Sequence, residues 1–168
     1  MIKAMALYLL SSFFVVHAGE RLEVESNGCT MNVGGSDRFS FFKTDENVSF
    51  VKYKYKDGRV ENVKISCKEM TLADAISSDY VQEKDGLKVG IGSHPLSKAQ
   101  TYSGRNWTGV EGVYFLDSVC FTTSFEAGNN HIFFIDACGE EQDVKELRAS
   151  FLSLLKRSKT YYIDNSPK

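Results

Sequence analysis

The sequence predicts an α+β fold: a single domain, an antiparallel β-sheet with two main helices, one after the first hairpin and one C-terminal. Three observations carry this. Apolar and polar residues alternate in stretches that end in turn-forming Asp-Gly or Gly-Asn-Asn. A capped amphipathic segment opens at Thr71, and a longer one lies near the C-terminus.

In chain order, Leu22 and Val24 alternate with Glu23 and Glu25 and run into turn-rich Ser26-Asn27-Gly28. Phe39, Phe41 and Phe42 mark a second short strand. The clearest local signal is VSFVKYKYKDGRVENVKISC, where Val51, Tyr53 and Tyr55 alternate with Lys52, Lys54 and Lys56. A three-residue loop, Lys56-Asp57-Gly58 with a left-handed Gly58, sets Val51 opposite Val63 and puts Ile65 on the same face. A two-residue loop would move Val63 to the lysine face.

Thr71 can cap a helix, with Asp74 at the capping-box spacing. Leu72, Ile76 and Tyr80 line one face of it and Gly86 is the expected stop. Leu87 to Ile91 reads as a short strand, and residues 92–109 read as a polar loop. A second hairpin turns at Gly128-Asn129-Asn130, which places Phe121, Phe125, Phe133, Ile135 and Ala137 on one face. Its register sets Cys120 opposite Cys138. The final helix, EEQDVKELRASFLSLLKR, carries the stripe Val144, Leu147, Phe151, Leu154 and Leu155, with acids at its start and Lys156-Arg157 at its end as the helix dipole favours. Tyr161, Tyr162 and Ile163 are available to dock back on the sheet.

The ends and the composition bound the class. Met1-Ile2-Lys3, an apolar run from Ala4 to Val16 and the small residues of Val16-His17-Ala18 read as a signal peptide over residues 1–18, cleaved before Gly19. The run is shorter than the roughly 20 residues a membrane-spanning helix takes. Residues 19–168 then form one exported α+β domain, periplasmic or secreted. They hold 19 basic and 22 acidic residues, without the basic excess of a nucleic-acid binder. Four cysteines in an exported chain predict two disulfides. The hairpin register assigns Cys120–Cys138, which leaves Cys29–Cys67. No CxxC or paired histidines point to a metal, and no cofactor is implied.

Catalysis needs a nucleophile, a base and an orienting group, or a metal. The chain has no GxSxG, HExxH, phosphate loop or dinucleotide fingerprint. His94 precedes Pro95 in a loop, and His131 begins a strand at a turn. These are the only histidines of the exported part, and both read more simply as surface or turn residues; the Glu140-Glu141 pair sits at a helix start, where the dipole explains it. The expectation is therefore no enzyme and no catalytic residues.

Two features point to binding instead. Lys52, Lys54 and Lys56, with Lys64, form a stripe that either keeps a hairpin soluble or docks on an acidic partner surface. SGRNWTG, Ser103 to Gly109, holds the only tryptophan. Trp107, with Arg105 and Tyr102 beside it, is either an interface anchor or a plug folded under one end of the sheet. Asn106-Trp107-Thr108 and Asn47-Val48-Ser49 match the glycosylation pattern.

The element order, with NVSFVKYKY, TLADAISSDYVQ, GVEGVYF and VKELRASFLSLL, resembles the PsbP/Mog1-like group of small α+β proteins over most of Phe39 to Leu155. The four cysteines and the polar loop around Trp107 depart from that group. The resemblance implies a non-enzymatic binding or assembly module and transfers no site residue. The resulting expectation is a protein-binding module whose partner is another protein, a toxin or an envelope enzyme: a periplasmic inhibitor or immunity protein acting by occlusion. The alternatives are a small envelope hydrolase using His94 or His131, and a small-molecule or lipid carrier with an apolar cavity between sheet and C-terminal helix.

Overall fold

A computed structural model describes residues 22–34, 36–43, 49–91 and 97–163 of the chain. The expected signal peptide, His94 and Asn47 lie outside them. The fold is mostly antiparallel β-sheet with two helices, more strand-rich than the sequence pattern predicts.

The N-terminal hairpin pairs β1 (Leu22–Ser26) with β2 (Cys29–Val33). Its two-residue turn places Asn27 and Gly28 at positive φ, which glycine and asparagine tolerate best. β3 (Phe39–Lys43), β4 (Ser49–Lys54) and β5 (Val60–Glu69) follow as an antiparallel meander. Val51 stands opposite Val63 and Gly58 is left-handed at φ 91°, as the three-residue loop requires. Helix α1 (Leu72–Asp79) opens with the full capping box: Thr71 Oγ1 accepts from the Asp74 amide, and the Asp74 carboxylate accepts from the Thr71 amide.

The helix stops earlier than Gly86. Tyr80 turns extended and starts β6 (Tyr80–Glu83), which pairs with β7 (Gly86–Val89). Alternation from Tyr80 to Glu83 competes with the helical spacing, and packing favours the hairpin: Tyr80 and Val89 are both buried beside Leu72 and Ile76. The expected loop also contains a strand, β8 (Ala99–Ser103), at the sheet edge.

β9 (Thr108–Phe115), β10 (Val119–Gly128) and β11 (His131–Gly139) form the centre. The β10–β11 turn carries Asn129 and Asn130 at positive φ and a bulge between Glu126 and Gly128. Phe121, Phe125, Phe133, Ile135 and Ala137 all enter one core. Helix α2 (Glu141–Leu155) buries all five residues of its predicted stripe, and β12 (Lys159–Tyr162) closes the described chain. α2 ends before Lys156 and Arg157, so these two cations stand just beyond the helix.

Seven strands form the main sheet in the order β3-β4-β5-β11-β10-β9-β8. A three-stranded sheet, β1-β2-β12, uses the tail as its third strand. One face of the main sheet packs on α2 and the small sheet around Phe39, Phe121, Phe125, Phe133 and Phe151. The opposite face is covered over β9–β11 by α1 and the β6–β7 hairpin.

Both disulfides match the predicted pairing. Cys120–Cys138 joins directly opposed residues of β10 and β11, with Cα atoms 4.0 Å apart. Cys29–Cys67 ties the small sheet to β5, with Cα atoms 6.1 Å apart. Two disulfides fit an oxidising compartment. No helix among the described residues is long and apolar enough to cross a membrane.

Among the described residues three ion pairs hold α2, one of them Arg38 to Glu146 at 2.9 Å. Glu111 of β9 is fully buried, and its carboxylate accepts a fork of hydrogen bonds from Arg148, Nε at 2.8 Å, with Gln100 as a third donor. At the other end, Arg59 grips Asp143 through both terminal nitrogens, at 2.7 and 2.9 Å, and Asp57 through Nε. This uses the Arg59 charge within the hairpin–helix contact, so Arg59 does not extend the lysine stripe.

Arg148→Ala leaves Glu111 buried without its counter-charge and is expected to cost about 3–5 kcal/mol in urea unfolding, whereas Glu111→Leu with Arg148→Met recovers most of that loss. Arg59, chiefly through side-chain hydrogen bonds, holds Asp143 and Asp57 below their ordinary value of 3.8. Folded values below unfolded ones mean that this contribution is complete above the unfolded value and is lost as pH falls through the folded values. Unfolding midpoints measured from neutral pH down to about pH 3 should therefore fall less steeply in Arg59→Gln than in the wild type.

Candidate functional site

The loop between β8 and β9 is where the sequence left two readings of Trp107 open, and the structure decides between them. Trp107 is 3% exposed and belongs to the main core. Its ring packs on Phe125, centroids 4.8 Å apart, and edge-on to Tyr102 at 5.2 Å. The indole N–H donates to Ser158 Oγ at 2.9 Å, which satisfies the one polar atom that burial would otherwise strand. The anchor expectation for Trp107 is thereby corrected: the residue plugs the end of the sheet.

The glycines beside it serve close approach and not presentation. A Cβ on Gly104 would lie 2.1 Å from the indole, and one on Gly109 would lie 2.6 Å from the Phe125 side chain. Gly104 also donates its amide to the Trp107 carbonyl at 3.0 Å, closing the turn. Asn106 acts as a piece of backbone. Its side-chain amide donates to the Thr160 carbonyl at 2.6 Å and its side-chain oxygen accepts from the Thr160 amide at 3.0 Å.

Tyr102 is half-buried beside Trp107. Its ring packs against the main core, and burial pushes its phenol well above the ordinary value. The hydroxyl hydrogen bonds to that of Thr123. Of the three predicted anchor residues, only Arg105 keeps an exposed side chain. Its backbone amide donates to the Ser158 carbonyl at 3.2 Å, which sets it next to Arg157 and Lys159. These three cations line a cleft of about 480 Å³ with Asn32, Val33 and Gly34.

The predicted lysine stripe is exposed. Val51, Tyr53, Val63 and Ile65 point into the core, so the intervening Lys52, Lys54 and Lys64 emerge on the opposite face of β4 and β5, with Lys56 in the turn. α1 and the β6–β7 hairpin cover this face over β9–β11 and stop short of it. Lys68 continues the row towards the covered part, with its ammonium 4.8 Å above the Phe134 ring. Apolar surface lies among the charges. Val60, opposite Lys54, is 59% exposed, and Phe50, opposite Lys64, is half-buried.

His131 lines a second cleft, of about 300 Å³, with Thr71, Asn106, Glu126 and Asn130 among its walls. Its ring stacks on Tyr162, centroids 3.7 Å apart, and Nδ1 donates to the Asn129 carbonyl at 2.8 Å. Glu126, the carboxylate of this cleft, accepts from the Thr108 amide at 2.9 Å. The pair therefore has structural partners, His131 in its own turn and Glu126 in the neighbouring strand β9. No group of three His, Cys, Asp or Glu among the described residues is gathered as a metal site would require.

Compared with known protein families, the chain matches none, and no curated protein matches it in sequence.

The single tryptophan makes its own environment measurable. Wild-type emission is expected to be that of a buried indole and to shift to the red on unfolding. Gly104→Ala forces the indole to move and is expected to cost about 1–3 kcal/mol with a partial red shift in the native state. Trp107→Ala removes the plug at about 3–5 kcal/mol. Native emission unchanged in Gly104→Ala would contradict the contact.

Proposed function

We propose that this chain is an exported, non-enzymatic protein-binding module that docks on an acidic partner surface through the lysine face of β4 and β5. The most concrete form is a periplasmic inhibitor or immunity protein that occludes an envelope-targeting toxin or hydrolase. One observation carries the reading: the sheet leaves Lys52, Lys54 and Lys64 exposed around Phe50 and Val60, beside the part of the same face that α1 and β6–β7 cover. Fixed cations around apolar surface combine long-range steering with area to bury, and they discriminate against basic partners. The Cys29–Cys67 disulfide and the Arg59–Asp143 pair tie β5 and the β4–β5 turn to the rest of the fold, which limits the conformational freedom lost on binding. The resemblance to PsbP/Mog1-like proteins favours the same class.

The hydrolase alternative draws its support from His131 and Glu126 lining one cleft. It is the weaker reading, because the histidine stacks on Tyr162 and each group is hydrogen-bonded to backbone.

The test compares oxidised Gly19–Lys168 with Lys54→Glu/Lys64→Glu and Arg105→Gln in capture from envelope and secreted fractions of the source organism. Titration calorimetry with the purified captured protein follows. One acidic partner, bound stoichiometrically, is expected to lose at least about tenfold in affinity to the charge reversal and to weaken with salt. Equal affinity for the charge-reversed form would overturn the surface, and the absence of any stoichiometric partner would overturn the function.

A further inference from the structure

The cleft beside Trp107 has a different chemistry from the lysine face. Ser158 is fully buried between the end of α2 and the start of β12, and three hydrogen bonds fix it. Its amide donates to the Leu155 carbonyl at 2.8 Å, its hydroxyl accepts from Trp107, and its carbonyl accepts from the Arg105 amide. Arg157 and Lys159 flank it in the chain, and Arg105 reaches it from the loop. Three cations from two separate segments are thus brought to one cleft by a buried hub.

Among the described residues no carboxylate lines the cleft. Among the described residues no carboxylate pairs with Arg105, Arg157 or Lys159; Arg157 donates only to the Ser153 carbonyl, at 3.4 Å. The contrast with Arg38, Arg59 and Arg148, each matched to an acid, is sharp in a chain whose formal charge is −2. Like charges facing one space repel one another, and an anion between them turns that repulsion into attraction. Two guanidinium forks and an ammonium suit a tetrahedral oxyanion, since arginine offers paired donors to two of its oxygens. Asn32, whose amide donates to the Tyr161 hydroxyl at 2.6 Å, supplies a polar wall, and Val33 an apolar one.

We propose that this cleft binds the phosphate group of a small phosphorylated molecule, with Arg105, Arg157 and Lys159 as its ligands. Three positive charges match the charge of about −1.5 to −2 on a phosphate monoester better than the single charge of a carboxylate. The volume, about 480 Å³, lies in the range of small-molecule sites and leaves space beyond the phosphate itself. The site is independent of the lysine face, which lies on the other side of the main sheet from the small sheet that forms this cleft.

The experiment is an NMR titration of oxidised Gly19–Lys168 with glucose 6-phosphate, with inorganic phosphate, and with glucose as the uncharged comparator. Saturable shifts are expected at the amides of residues 105 and 157–159 with both phosphates and not with glucose, weakening as salt rises. Arg157→Gln/Lys159→Gln and Arg105→Gln change exposed side chains only and should keep the wild-type urea midpoint. Each should lower affinity by about tenfold or more, the double variant the most. The proposal is overturned if neither phosphate binds saturably at millimolar concentration, or if the glutamine variants bind as the wild type does.

Discussion

The contact between Trp107 and Ser158 is the constraint on which the far end of the molecule depends. The β8–β9 loop, the close of α2 and the start of β12 have no shared strand ladder to align them. The indole supplies that alignment: its face fills the end of the core against Phe125 and its N–H meets the Ser158 hydroxyl. Asn106 adds a strand-like pair of hydrogen bonds to Thr160. Because β12 is the third strand of the small sheet, the same contact also decides where β1 and β2 lie. A large aromatic with one donor suits this role, since it buries much apolar area while its single polar atom specifies one partner.

Charge is distributed by the same logic. Where a helix must be held in register, arginines meet carboxylates: Arg148 with buried Glu111, Arg59 with Asp143, Arg38 with Glu146. These pairs fix α2 across β9, the β4–β5 turn and the segment before β3. The exposed lysines of β4 and β5 lie on a flat sheet face rather than at a helix seam. Lysine keeps such a face hydrated at little cost to the strands, and the same property makes it available to a partner.

Much of this was legible in the sequence wherever one local rule governed. The β4–β5 and β10–β11 hairpins, their registers and the Cys120–Cys138 pair follow from alternation and turn residues alone, because a slip of one residue would reverse every side chain. The Thr71 capping box and the stripe of α2 were legible for the same reason. What escaped were elements decided by tertiary contact. β8 is polar and short and exists because β9 offers it an edge. β2 and β12 pair with each other across most of the chain. The segment after Asp79 carries both periods at once, and burial of Tyr80 and Val89 decided for the hairpin.

The Trp107 loop shows why composition misleads at a site. Glycine, serine and asparagine around an aromatic read as a mobile presenter, yet the glycines and the asparagine have structural reasons here. Gly104 and Gly109 are small because the indole and Phe125 lie against them, and Asn106 replaces a missing strand residue. The exposed member of the loop is Arg105, and what makes it informative is not its neighbours in sequence but Arg157 and Lys159, which reach it through Ser158. A buried plug and an exposed cationic cleft are therefore two sides of one arrangement. The tryptophan fixes the backbone at which three charges converge, and it does so from inside the core, where no ligand could displace it.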